Sequence, residues 1–224
     1  METYHKPVQV RGGFTMQLND SQCPISRTLF NGDSWEPEVE RAITRFAKPD
    51  WLFFEMGAHI GAFTLHAARK FREVIAVEPH PKSFRLLEKN VNLNELTNVE
   101  LHHAAVSDHD GVIALRLAEG NTGSTFTEDK DKNYHILGLH PQTILQGRKP
   151  EFIKMDIEGD EYKVLTACPE LLEAEVIVTE YSPDQLKRQG GPAGDMFLEL
   201  LRGAGFRFAS PQARSYQNIV ARRR

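Results

Sequence analysis

Apolar residues gather in short unbroken runs along this chain, and charged or glycine-rich stretches follow each run. The runs are Trp51-Leu52-Phe53-Phe54, Val74-Ile75-Ala76-Val77, Phe152-Ile153 ahead of Lys154, and Val176-Ile177-Val178-Thr179. Runs that do not alternate with polar residues predict strands covered on both faces, as in a parallel sheet. Between them the spacing changes to that of helices. Ile60, Phe63 and Ala67 fall on one face, as do Phe84, Leu87 and Val91 behind Pro81, and Met196, Phe197, Leu200 and Leu201 behind Pro192. Pro37 marks the first turn of a helix over about 36–47, and a further helix is expected over about 160–167. Residues 8–30 read as short strands, with turns at Gly12-Gly13 and Asn19-Asp20. Val99 to Val106 and residues 111–117 read as further strands, and Phe206–Ala209 with Ser215–Ala221 as a closing antiparallel pair.

Strands alternating with helices predict an α/β, Rossmann-like fold. The expected sheet has seven strands, mostly parallel, with an antiparallel last strand. Residues 1–48 form a short N-terminal β/α extension, and 49–224 form the core of a single domain. A long insertion with one short strand or helical turn is expected over about 118–148, where Gly120, Gly123, Gly138, Pro141 and Gly147 lie among polar residues.

Composition changes this picture little. The 224 residues are 40% hydrophobic and 26% charged, with a net charge of −4, so a nucleic-acid-binding role is not expected. No run approaches the length of a membrane span, and the start of the chain lacks an apolar leader segment. Cys23 and Cys168 are distant in sequence and suggest no disulfide framework. A reduced, cytoplasmic setting is the expectation.

Chemistry concentrates just beyond the strand ends, where such sheets bind ligands. Glu55-Met56-Gly57-Ala58-His59-Ile60-Gly61 follows the first run. Gly57 and Gly61 allow a tight turn and close approach of a ligand. A dinucleotide site would have G-x-G-x-x-G, but His59 and Ala62 stand where two of those glycines belong. The acid before the turn suits a cationic ligand such as S-adenosylmethionine better than a pyrophosphate. Glu78, 23 residues after Glu55, has the spacing of a ribose-binding acid, and Pro79 stiffens its turn. Ser107, Asp108 or the backbone beside them is the candidate partner for an adenine amino group.

The densest string is Ile153-Lys154-Met155-Asp156-Ile157-Glu158-Gly159-Asp160-Glu161. Lys154 and Asp156 share strand parity and hence one face. So many charges at a buried strand end are costly unless they pair or work. Asp156 is a candidate to orient a hydroxyl or take its proton, and Lys154 to keep Asp156 ionised or to contact a polar substrate. Glu158 and Glu161 flank them, and Glu180-Tyr181 ends the next strand. The histidines, including His102-His103, His109, His135 and His140, show no ligand spacing, so no metal is expected. A G-x-S-x-G hydrolase elbow is absent.

Four strings carry a resemblance: FFEMGAHIGAFTL (53–65), VIAVEPHPKSFRLLEKNVNLN (74–94), AAVSDHDG (104–111) and IKMDIEGDEYKVL (153–165). With the Trp35-Glu36 pair upstream, they make the chain resemble the FkbM family of methyltransferases over about residues 8–220. The resemblance implies a class I methyltransferase fold and bound S-adenosylmethionine, with S-adenosylhomocysteine as product. It also implies methyl transfer to an oxygen of a small-molecule acceptor, a sugar or a secondary metabolite. By the same resemblance Glu55, Gly57, Ala58, His59, Gly61, Glu78, Pro79, Ser107, Asp108 and Asp156 line the cofactor. Glu158, Glu161, Glu180, Tyr181, Trp35 and Glu36 would meet the acceptor, and the catalytic set is Asp156, His59 and Lys154.

The family often has Asp at the position of Glu55 and Asn at that of His59. Its Leu-Asp pair before the fourth strand is replaced by the segment His140 to Leu145. The base is Asp156 or His59. Three rival readings stand beside this one: a non-catalytic scaffold, an NAD-dependent oxidoreductase disfavoured by the missing glycines, and a nucleic-acid or protein methyltransferase without the expected N-P-P-Y-like string.

Overall fold

The structure, a computed structural model, describes residues 6–19, 22–116, 126–127, 134–190, 194–211 and 217–223. The chain opens with a hairpin, β1 (Val8–Val10) and β2 (Phe14–Met16), then α1 (Pro24–Phe30) and α2 (Pro37–Phe46). Next come β3 (Leu52–Met56), α3 (Ala62–Ala68), β4 (Glu73–Val77), α4 (Pro81–Leu93) and β5 (Val99–His102). β6 (Ala105–Val106), β7 (Gly111–Arg116), β8 (Phe126–Thr127), β9 (Tyr134–Leu139) and α5 (Pro141–Leu145) follow. The last part contains β10 (Phe152–Met155), α6 (Glu161–Ala167), a 3-10 turn (Pro169–Glu173), β11 (Val176–Tyr181), α7 (Pro183–Arg188), α8 (Gly194–Gly203) and β12 (Gln217–Arg222).

The main sheet runs β12-β11-β10-β3-β4-β5, parallel throughout except for the antiparallel β12. This is the doubly wound arrangement expected from the alternating runs. The strand count differs: six strands pair fully, and the segment expected as a seventh touches the sheet at a single bridge, Arg207 to Arg222. Both backbone bonds of that bridge form, at 2.8 and 3.0 Å. Beyond the bridge, the Phe208 ring lies under the guanidinium of Arg202 on α8, 5.2 Å from its centroid.

Side-chain alternation divides the core. Leu52, Phe54, Met56, Ile75, Val77, Ile153, Met155 and Ile177 face one way, against Ile144, Val164, Leu165, Leu186, Phe197 and Leu201 of α5 to α8. Phe53, Val74, Ala76, Phe152, Val176 and Val178 face the other way. They pack against Val39 and Ile43 of α2, Phe63 and Leu65 of α3, and Leu87 and Val91 of α4, with Val10, Phe14 and Met16 of the hairpin. Burial at every position of β3, β10 and β11 explains why these runs do not alternate.

Two regions depart from expectation. Residues 24–30, read as part of a set of short strands, form α1, because Pro24 sits in its first turn and donates no N–H that a helix would miss. The segment after β5 is more than a loop with one short element: β9 pairs antiparallel with β7 and parallel with β6, and β8 joins them in a second sheet ordered β6-β9-β7-β8. The strand expected over Val99–Val106 is accordingly divided between the two sheets. Pro192 and Ser215 lie outside the described residues. Among the described residues no helix is long and apolar enough to cross a membrane.

Candidate functional site

Strand alternation brings the charged groups of the motifs together. Glu55 shares the face of Phe53, Lys154 that of Phe152, and Glu180 that of Val176 and Val178, so all three lie on the side of α2 and α3. Glu55 and Lys154 are partners in register on neighbouring parallel strands. Tyr181 has the opposite parity. It is buried against Phe197 in the other core layer, so its expected place beside an acceptor is corrected: its ring is a core element.

The turn after β3 is tightly built. Gly57 has φ +84°, and a Cβ there would lie 2.0 Å from the carbonyl oxygen of Asp156. Only glycine lets the ends of β3 and β10 approach so closely. The N–H groups of Gly57 and Ala58 both donate to the carbonyl of Val77, which ties this turn to the end of β4. His59 also takes a left-handed backbone, φ 51°, and its N–H donates to Glu78 Oε2 at 2.7 Å. Glu78 Oε1 accepts from the N–H of His80 at 2.8 Å. The expected ribose acid therefore braces the glycine turn from beneath, and its carboxylate is positioned by both loops.

At the centre is Lys154, almost wholly buried. Its Nζ donates to the carbonyl of Gly57 at 2.9 Å and to Asp156 Oδ2 at 3.2 Å. Burial opposes its charge, but Asp156, Glu55 and Glu36 more than offset this, so its pKa stands above the ordinary lysine value. Asp156 is likewise opposed by burial, and Lys154 and a hydrogen bond with Glu180 hold its pKa below the usual carboxylate range. Glu180 gives the matching half: burial and the Asp156 charge push it up to about 11, so it keeps the shared proton.

Other acids are raised as well. Glu55 is fully buried and pushed up to about 7, chiefly by burial. Its Oε2 accepts from Thr64 Oγ1 at 2.6 Å, and its Oε1 has no hydrogen-bond partner among the described residues. Glu78 stands at about 7 for the same first reason. Glu158, held by Gln185 at 2.5 Å, is pushed to about 8 by burial and then by Asp156 and Glu161. Glu161, expected at the acceptor, spends its Oε1 on the N–H of Ile157 at 2.9 Å and so shapes the turn that carries Asp156. Burial lowers His59 to about 3, with Lys154 and His80 adding to the effect, so its imidazole is neutral and a weak base at physiological pH.

Glu36 enters from the N-terminal extension on a left-handed backbone, φ 42°, close enough to feel the charges of Lys154 and Asp156. Trp35 beside it lines a small enclosed space with Phe14, Phe63, Glu40 and His66. Ser107 and Asp108 lie at the surface beyond β6. Asp108 binds His109 Nδ1 at 2.6 Å, and Ser107 Oγ donates to Asp108. Pro79 follows Glu78 at the head of α4.

Two positioning residues escaped the sequence reading. Buried His80 caps α4, its Nδ1 accepting from the N–H groups of Lys82 and Ser83. Buried Asn90 donates to the carbonyls of Ile60 (2.8 Å) and Gln17 (3.1 Å) and accepts from the Gln17 N–H at 2.6 Å. It thus fastens both the turn after β3 and the extension to α4. A proline one place after His80 was the signal for the cap, whereas Asn90 offered none.

A family model described as "Methyltransferase FkbM domain" matches residues 55–208, well over half of the chain. Hexuronic acid methyltransferase AglP of Haloferax volcanii is 27% identical over 142 residues, covering 62% of this chain and 59% of that protein. Methyltransferase 1 of Beauveria bassiana is 26% identical over 143 residues, covering 52% of this chain and 57% of that protein. The chain thus spans less than two thirds of either relative's length. Among solved structures, M. jannaschii TYW2 in complex with AdoMet superposes with a TM-score of 0.52 at 14% identity, covering 99% of this chain and 86% of that one. That likeness concerns the fold.

Proposed function

We propose, from the premise that the chain belongs to the FkbM methyltransferase-domain family, that it transfers a methyl group from S-adenosylmethionine to a hydroxyl of a sugar or secondary metabolite. The observation that carries this reading is the convergence, at the ends of β3, β4 and β10, of the Gly57 turn, Glu78, Glu55 and the Lys154–Asp156 pair.

The residues present suit this cofactor. The glycine turn draws the ends of β3 and β10 together, Glu78 has the spacing expected of a ribose-binding acid, and Glu55 keeps a buried carboxyl oxygen without a hydrogen-bond partner among the described residues. Glu55, Gly57, Ala58, Gly61, Glu78 and Pro79 would hold it. When bound, it supplies an electrophilic methyl group on a sulfonium.

The chain's own residues then align and deprotonate the acceptor. Asp156, kept ionised by Lys154, accepts the hydrogen bond of the acceptor hydroxyl and takes its proton as the oxygen gains the methyl group. A strong base is unnecessary, because an oxygen that has gained a methyl cation gives up its proton readily. That suits Asp156 with its low pKa, and it leaves neutral His59 the backbone role of bracing Glu78. Lys154 acts as a positioning residue: it ties Asp156 to the Gly57 carbonyl.

The test is calorimetric titration of the purified protein with S-adenosylmethionine, S-adenosylhomocysteine and, as a control, NAD. Binding of both sulfur ligands and not NAD is expected. Folded protein that binds neither sulfur ligand overturns the reading in favour of a scaffold, and binding of NAD alone would favour the oxidoreductase.

A further inference from the structure

Beside Asp156 the strand ends hold an excess of carboxyl groups that methyl transfer to a simple hydroxyl does not require. Glu180 comes from the end of β11, Glu158 from the turn after β10, and Glu36 from the extension. Glu180 is 5% exposed and hydrogen-bonded to Asp156, and its Oε1 has no hydrogen-bond partner among the described residues. A buried carboxyl oxygen without a donor is costly, which marks a place where a ligand's donor belongs. The nearby cations are already committed. Lys154 is bound to Gly57 and Asp156, and the exposed Arg188 on α7 acts on Glu158.

We propose, resting on the methyl-transfer reading of the same cleft, that the acceptor carries a protonated amine near the hydroxyl that is methylated, as in an amino sugar or amino alcohol, and that Glu180 with Glu158 recognises this amine. An ammonium donates to this Glu180 oxygen and adds a second positive charge to the one that Lys154 already supplies. The charges that act most strongly on Glu180 are those of Asp156, Glu158 and Glu161, all acidic, and with burial they keep Glu180 protonated in the free protein. Binding an ammonium therefore lets Glu180 release its proton to solvent, leaving one new ion pair and one free proton. A hexuronic acid, named in the description of the Haloferax relative, would instead set a carboxylate against these acids, with Lys154 already bonded to Gly57 and Asp156.

The experiment titrates the full chain, saturated with S-adenosylhomocysteine, with glucosamine, glucose and glucuronate in buffers of different ionisation enthalpy. Glucosamine should bind at least about tenfold tighter than glucose, the effect of one charge-assisted hydrogen bond. It should also release a proton, and glucuronate should bind weakest. Glu180→Gln and, independently, Glu158→Gln should each reduce the glucosamine preference and leave the affinity for S-adenosylhomocysteine within a few fold. Absence of glucosamine binding, equal binding of glucose, tighter binding of glucuronate, or an undiminished preference in both variants overturns the proposal. Failure to bind S-adenosylhomocysteine at the first step would instead overturn the cofactor reading.

Discussion

Lys154 on β10 stands in register with Glu55 on β3, the two charged residues of a parallel pair whose other members are all apolar. The lysine does not bond its register partner directly. Its Nζ reaches past the strand end to the Gly57 carbonyl and to Asp156, while Glu55 is held by Thr64. One buried cation thus serves three acids and the backbone of the glycine turn after β3. Removing it leaves buried carboxylates uncompensated, a change that usually costs about 3–5 kcal/mol. Lys154→Met is expected to lose stability on that scale. Asp156 loses the charge that keeps its pKa low, so the variant should also regain part of the loss as pH falls and the acids protonate. Chemical denaturation at several pH values measures both effects, and a loss that does not vary with pH would show that Lys154 acts by packing alone.

Asp156→Asn keeps the shape of the side chain and a hydrogen bond but cannot take a proton. Methyl transfer should fall by about 10²-fold or more, the usual range for loss of a general base. Affinity for S-adenosylhomocysteine should stay within a few fold. Equal losses in turnover and cofactor affinity would place Asp156 in the cofactor site instead.

The raised acids predict an unusual pH profile of stability. Glu55, Glu78 and Glu161 stand at about 7 and Glu158 at about 8, against an ordinary value of 4.5. A carboxyl whose folded pKa is raised binds more protons in the native state than in the unfolded one between those values, so stability falls as pH rises across that window. The contribution is complete below about 4.5 and lost through 7 to 8. Asp156 works in the opposite sense below its ordinary value of 3.8. His59 and His80, lowered by burial from 6.5 to about 3 and about 4, also oppose the acids, but only up to about pH 6.5. The melting temperature should therefore decline most clearly between pH 6.5 and pH 8. S-adenosylmethionine, a cation, should recover more of it at pH 8 than at pH 5. A melting temperature that rises across this range would refute the burial assigned to these groups.

The two glycines of the turn after β3 should respond unequally to alanine. Both have positive φ, and left-handed backbone costs an L-residue about 1–2 kcal/mol. At Gly61 the new methyl would meet the end of the Leu87 side chain at 2.8 Å, which can move. At Gly57 it would meet the Asp156 carbonyl at 2.0 Å, part of the strand end that presents the candidate base. Gly57→Ala is expected to disrupt β3–β10 packing, with loss of folding or of cofactor binding, and Gly61→Ala only the backbone cost. Urea midpoints and ligand titration of the two variants distinguish them, and equal behaviour would contradict this geometry.

The parts of this design that were legible in the sequence are those in which a side chain's type reports its surroundings. Phe53-Phe54 and Ile75-Ala76-Val77 are buried on both faces and looked so, and Pro37 and Pro81 mark helix starts because their missing N–H is harmless there. Glu55, Glu78, Lys154 and Asp156 stood out because charges at the end of an apolar run need a reason. Tyr181 misled, because the residue after Glu180 points to the opposite face and a tyrosine suits core and cleft alike. The β6–β9 sheet was hidden because Gly138 and His135 interrupt β9, and its pairing with β7 is a non-local choice made by the packing. His59 contributes its backbone N–H, a group common to nearly every residue and therefore silent in sequence.

Asn90 was silent for a related reason: a polar residue on a helix reads as solvent-facing, yet this one is fully buried. Its amide makes three backbone hydrogen bonds, to both polar groups of Gln17 and to the carbonyl of Ile60, inside the turn between Gly57 and Gly61. Asn94, one turn later, binds Thr15 through its N–H and carbonyl in the same manner, so α4 substitutes for a strand partner along the edge of β2. Replacing Asn90 with leucine fills a similar volume but strands three buried backbone groups, each costing about 1–3 kcal/mol. A destabilisation of about 3 kcal/mol or more is therefore expected. Asn90→Asp retains the acceptor for Gln17 but loses both donated bonds, including the one to Ile60, and should weaken S-adenosylhomocysteine binding more than its effect on stability alone explains. Titration at a temperature where the variant is fully folded measures this. Unchanged affinity in a destabilised Asn90→Asp protein would mean that the turn holds its shape without α4, and that Asn90 serves only to anchor the extension.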